Sequence, residues 1–188
     1  MRLIVALFLA YSCSVSATWT LDNANSSLNF ISTKNNNLSE LHSFDQFSGQ
    51  MTSSGELSVS VNLASVNTLI EIRNSRMQKM LFEVGNYATA ELSAQLPASV
   101  MAATVGKQTQ IDMQGQLTLH GVSLPITIQI NVAKLDADTY SAHTVKPIII
   151  SADQFGLKDG VEALREIAGL NNISLAVPVT FSVLFTRA

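Results

Sequence analysis

Ile111 to Val132 reads IDMQGQLTLHGVSLPITIQINV. Ile111, Met113, Gly115, Leu117 and Leu119 alternate with Asp112, Gln114, Gln116, Thr118 and His120. A period of two places the first set on one face of a β-strand and the second set on the other. Gly121 permits a tight turn, and beyond it Ile126, Ile128, Ile130 and Val132 alternate with Thr127, Gln129 and Asn131. Two such runs about a short glycine-containing link predict an antiparallel hairpin with one buried and one wet face.

The same period recurs outward in both directions. Leu57, Val59, Val61 and Leu63 alternate with Ser58, Ser60 and Asn62, and Ala90, Leu92, Ala94 and Leu96 alternate up to Pro97. A first strand carries Leu28, Phe30 and Ser32 on one face, after an entry at Trp19–Asp22. Phe44 to Met51 resumes strand character, and the Asn-rich stretch from Lys34 to Ser43 reads as a loop or short helix. Thr139–Ala142 and Ile148–Ile150 are further strand pieces, and a last strand runs from about Ile173 to Phe185. Pro178 within it predicts an edge position or a bulge. The chain is thus all-β, with roughly eight antiparallel strands. The pattern leaves a sandwich and a closed barrel both open.

Two segments depart from this period. In SVNTLIEIRNSRMQKMLFEV (Ser65–Val84), Met77, Met80, Leu81 and Val84 fall on one side of a short helix, and Arg73, Arg76 and Lys79 form a basic stripe. Asp159 to Ala168 is the second predicted helix, with Asp159 and Glu162 in a capping-box pattern and Gly169 ending it.

Residues 1–17 have the form of an export signal. Arg2 precedes an apolar run from Leu3 to Ala10, and Val15-Ser16-Ala17 offers small residues for cleavage after Ala17. Such a run is too short to span a bilayer. The alternative is a lipoprotein anchored through Cys13, the single cysteine. Cleavage at Ala17 gives a periplasmic or otherwise exported domain, 18–188, with no cysteine to form a disulfide. It also takes the formal charge from −3 to −4 by removing Arg2. An acidic chain argues against a nucleic-acid partner. With 47% apolar and 13% charged residues, the domain either has a large core or encloses something apolar.

A family resemblance rests on motifs in order along the chain. These are Trp19 with Leu21-Asp22 and Ser27-Leu28-Asn29-Phe30, then His42-Ser43-Phe44 leading to Phe47-Ser48-Gly49. Ser65-Val66-Asn67-Thr68 with Arg73-Asn74 follows, then Phe82 and Tyr87 before Ala88-Thr89-Ala90. Leu117 to Val122 with Pro125, and Ser151 to Phe155-Gly156, complete the set. The chain resembles the YceI-like family of exported proteins. Ala88, Leu92 and Asn74 stand where the family commonly has Pro, an aromatic residue and Asp.

The resemblance implies a lipocalin-like barrel with two short helices and a long apolar cavity. The implied partner is a polyisoprenoid-like lipid or a quinone-type apolar ligand, held for carriage or storage. Transient membrane contact and an undetermined oligomeric state accompany that expectation. The expected lining is Phe30, Phe44, Phe47, Leu63, Val66, Met77, Met80, Met113, Leu117, Ile128 and Phe181. Arg73 and Arg76 are candidates for a head group, because guanidinium forks bind phosphate oxygens in pairs. The competing reading of Arg73 pairs it with Glu71 or Glu83.

Two rival readings are a solid-cored envelope interaction module and a cryptic hydrolase. His42, His120 and His143 are far apart and lack metal-ligand spacing. No nucleophile elbow or phosphate loop is present, and no cofactor is expected. A hydrolase would need His42 or His120 beside both a carboxylate and a hydroxyl.

Overall fold

The computed structural model describes residues 18–187, so the predicted export segment and Cys13 lie outside the described residues. The strand segments assemble into staves, several of them broken once. The first stave is β1 (Thr18–Leu21) with β2 (Ser27–Lys34), and the second is β3 (Leu38–Phe44) with β4 (Phe47–Thr52). The third is β5 (Glu56–Asn62) with β6 (Val66–Asn67). Then come β7 (Thr89–Gln95), β8 (Gln108–Leu119) and β9 (Val122–Lys134) as single staves. The seventh is β10 (Thr139–Thr144) with β11 (Ile148–Ser151), and the eighth is β12 (Ala176–Thr186).

Each stave pairs antiparallel with the next in chain order. The last closes on the first through Leu21 opposite Phe185 and Phe30 opposite Val179. Closure makes an eight-stranded up-and-down barrel and removes the sandwich alternative.

The interruptions are local polar devices. Asp22 Oδ1 accepts from the N–H groups of Ala24 and Asn25, folding the chain into a single turn between β1 and β2. Asn62 Oδ1 accepts from Ala64 N between β5 and β6. The predicted β8–β9 hairpin forms, with Met113 opposite Ile128 and Leu117 opposite Leu124. His120 at φ 52° and Gly121 at φ 76° make its turn, the paired positive dihedrals that match strand twist in a two-residue hairpin.

The predicted loop or helix at Lys34–Ser43 is instead the β2–β3 hairpin. Asn35 and Asn36 take φ of 49° and 71°, which asparagine tolerates better than most residues. Pro178 faces Ile149 of β11 and lies just past the last β2 pair, at Val179. Its missing N–H therefore leaves no ladder bond unmade on the β2 side.

Helices close both ends. At one end α1 (Glu71–Arg76) runs into a π-helical turn, Met77–Leu81, which packs beside α3 (Lys158–Ile167). A Cβ on Gly160 would lie 2.6 Å from the Met80 carbonyl oxygen, so α3 and the π turn meet backbone to backbone. The capping box at Asp159 does not form. Leu157 is the N-cap without a side-chain bond, and Glu162 pairs with Arg165 at 2.6 Å.

The other end is plugged by α2 (Ala98–Met101), a four-residue helix additional to the two expected and too short to show a period. Its Val100 is 1% exposed. Tyr140 Oη donates to the Met101 carbonyl at 3.2 Å, and Trp19 meets the Tyr140 ring edge-on at 5.5 Å.

Candidate functional site

The inward faces of the staves do not fill the barrel. They surround a cavity of about 270 Å³, lined almost wholly by apolar side chains. Toward α2 the wall includes Phe47, Met113, Ile128 and Phe181; toward α1 and α3 it includes Phe30, Phe44, Leu63, Met77 and Leu117. All nine are among the eleven residues expected to line it, eight on strands or their ends and Met77 on the helical segment. Met51, Val59, Val61 and Ala142 also face the cavity, from alternations legible in sequence but not carried into the site.

Val66 and Met80 do not line it. Val66 is buried in β6 opposite Phe44. Met80 is turned away by the π turn, in which Phe82 N donates to Met77 O at 2.9 Å, five residues back. A π turn takes more residues than 3.6, so the α-helical wheel misplaces positions past Met77. Leu81 and Phe82 reach the cavity where Met80 was expected.

Beyond Phe30 and Phe44 the inward column of β2 and β3 changes character. The same period of two brings Ser32, Lys34, Glu40 and His42 to the α1 end. Ser32 Oγ lies 2.9 Å from His42 Nε2. Glu40 Oε2 accepts from Lys34 Nζ at 2.8 Å and from an Arg73 guanidinium nitrogen at 2.6 Å.

The Lys34 hydrogen bond, followed by the Arg73 charge, holds the Glu40 carboxyl below its usual range against opposing desolvation. His42 is 5% exposed, and its ring centre lies 5.2 Å from that of Phe30. Burial, and secondarily the Arg73 charge, lowers the His42 imidazole below its ordinary value. Its Nδ1 is buried without a hydrogen-bond partner.

Arg73 therefore belongs to a polar rim, and its partner is Glu40 rather than Glu71 or Glu83. Arg76 stands apart from that rim. Asn74 is structural: its Oδ1 accepts from Thr68 N at 2.9 Å and Thr68 Oγ1 at 2.7 Å, tying α1 to β6.

The histidines do not converge. His120 sits in its turn against Tyr87, ring centres 4.3 Å apart, with Nε2 3.7 Å from Glu83 Oε1. His143 faces outward on β10. Ser32 and His42 supply a hydroxyl and an imidazole in contact. A nucleophile triad also needs a carboxylate on the far imidazole nitrogen, and here Glu40 is engaged by Lys34 and Arg73 instead. Among the described residues no cluster of His, Cys, Asp or Glu could hold a metal ion.

A closed up-and-down barrel with a hollow apolar interior and a short polar rim defines a lipocalin-like binding scaffold. Residues 19–185 match the family model of the YceI-like domain, and the chain belongs to that family. A polyisoprenoid-binding domain from Saccharophagus degradans, implicated in plant cell wall breakdown, is 37% identical. It superposes with a TM-score of 0.88 over 92% of this chain and 99% of that one. BcnA of Burkholderia cenocepacia has the same fold at 20% identity, with a TM-score of 0.67 over 87% of this chain and 98% of its own. No curated protein matches the chain.

Proposed function

We propose that this protein binds a polyisoprenoid-like or quinone-type lipid by its tail and carries or stores it without chemical turnover, as an exported protein. The observation that carries this reading is the hollow, apolar barrel interior. The 37% identity to a polyisoprenoid-binding domain supports the ligand class.

An apolar cavity of about 150 Å³ accepts benzene, with six carbons. A cavity of 270 Å³ therefore takes about ten or eleven carbons, roughly two isoprene units. At about 0.8 kcal/mol per buried carbon, ten carbons contribute about 8 kcal/mol. This exceeds the lower estimates of the association cost, about 4 kcal/mol. A longer tail needs the Met77–Phe82 turn to give way or must leave its end outside. Lys34 and Arg73 lie where a head group would emerge, and one carboxylate between two cations leaves net positive charge for a phosphate.

Native mass spectrometry after gentle purification, with organic extraction of the adduct, tests the proposal. The expected result is a chain-plus-lipid mass that collapses to the bare chain on extraction. A bare chain under several expression conditions, together with no uptake of prenyl alcohols, would overturn it.

A further inference from the structure

The segment that leads into α1 displays apolar side chains. Leu69 is 89% exposed, and Ile70 and Ile72 are also exposed. Leu69 holds φ at 61°, a left-handed conformation unfavourable for a bulky side chain. Two asparagines hold this conformation in place. Asn67 Oδ1 accepts from Leu69 N at 2.9 Å, and Asn74 Oδ1 anchors Thr68 beside it. Strain kept by a local polar network, with the leucine facing solvent, contributes nothing to the barrel core.

The neighbouring stave extends the patch. Arg73 on Glu40 sets α1 against β3, where Leu41 is 65% exposed. Leu41 is two residues past the Ser43–Asn67 pair, on the side where Leu69 is two residues past Asn67.

The charge around the patch runs against that of the chain. From Leu69 to Lys79 there are three cations and one carboxylate, in a chain of formal charge −3. Arg73 is paired, whereas Arg76 and Lys79 have no side-chain partner among the described residues. Exposed aliphatic side chains beside unpaired cations match an anionic bilayer interface, which takes up apolar groups below its headgroups and attracts Lys and Arg at its surface.

We propose that this apex docks on an anionic lipid bilayer. Leu69, Ile72 and Leu41 enter the acyl boundary, and Arg76 and Lys79 meet the headgroups. The orientation puts the α1 end of the cavity against the membrane. This inference goes beyond the cavity reading and does not depend on what the barrel holds.

The test is co-flotation of residues 18–188 with vesicles of phosphatidylcholine alone or containing 30% phosphatidylglycerol. Apolar-probe binding in the cavity is measured separately without vesicles. The expected result is flotation with the anionic vesicles only, weakened by added salt. R76Q and K79Q each reduce partitioning about fivefold, and L69S/I72S abolishes it while cavity binding persists. L69G, which relieves the positive φ, weakens flotation without lowering the melting temperature. No flotation at any anionic content, or flotation unchanged in L69S/I72S, overturns the proposal. So does an oligomer in solution that L69S/I72S dissociates when no flotation occurs. Loss of probe binding in the parent protein would count against the cavity reading and leave the docking result to stand or fall alone.

Discussion

Ala142→Leu distinguishes a hollow barrel from a solid one by the sign of its effect. Ala142 lies on β10, opposite Val132 and Val183, and its side chain faces the cavity. The substitution adds three carbons. If they enter open apolar space they contribute about 2.4 kcal/mol at 0.8 kcal/mol each, less about 0.5–1 kcal/mol for fixing the new rotamer. The net gain is about 1.5–2 kcal/mol. For a domain of this size each kcal/mol moves the melting temperature by about 2–4 °C, so an increase of about 3–8 °C is expected. The same atoms take up roughly a quarter of the space a ligand would use, and three fewer buried ligand carbons at about 0.8 kcal/mol each should weaken binding of a fluorescent apolar probe at least about tenfold. The assay is thermal unfolding by circular dichroism on delipidated protein, paired with probe titration. In a solid core the same change overpacks and costs about 1–3 kcal/mol. A melting temperature several degrees lower, with probe binding unchanged, would refute the hollow interior.

Other expectations follow from the rim, the lid and the wall. Arg73→Ala should weaken binding of a prenyl phosphate about tenfold more than binding of the matching alcohol, read by competition titration; equal losses would make Arg73 purely structural. Acidification should destabilise the protein in two windows. Below about pH 6.5, the ordinary histidine value, the unfolded state binds a proton that buried His42 does not, so stability falls as pH falls. Below about pH 4.5, the ordinary Glu value, the paired Glu40 adds its own loss. Melting curves of His42→Phe should be flatter between pH 7 and 5.5 than those of the parent. Gly160→Val drives side-chain atoms into the Met80 carbonyl and Leu81 Cα, at 2.6 and 2.8 Å from the Cβ position alone. It should lower stability by about 1–3 kcal/mol and speed probe release in stopped-flow dilution. Ser32→Ala should leave any trace ester hydrolysis unchanged; a fall to background would put catalysis at the Ser32–His42 pair.

The polar rim and the apolar tube are one pattern read along two strands. Leu28, Phe30, Ser32 and Lys34 share a face of β2, and Phe44, His42 and Glu40 oppose them on β3. The change from apolar to polar along this face marks where the tube ends. It places the only buried histidine among the described residues between the cavity and the charged pair. Burying an imidazole nitrogen without a partner has a free-energy cost, and a head group reaching down the tube would supply the missing hydrogen bond.

The alternating runs determined the all-β class, the β8–β9 hairpin and most of the cavity wall, because a period of two assigns each side chain to a face before any strand has a neighbour. They determined nothing about closure, since a sandwich buries the same faces; the ladder from β12 to β1 decided that. The Lys34–Glu40–Arg73 cluster was equally beyond local reading. Glu40 lies 33 residues from Arg73, and only the arrival of α1 beside β3 selects it over the nearer carboxylates. Met80 missed the cavity because hydrogen bonds made by packing under α3 turned an expected α-helix into a π turn. The sequence by itself settled the face of each residue in the alternating runs, though not along residues 38–43, whose polar composition hid a strand. The tertiary structure alone decided whether those faces would meet in a solid core or enclose a space, because that depends on how many staves close and at what radius.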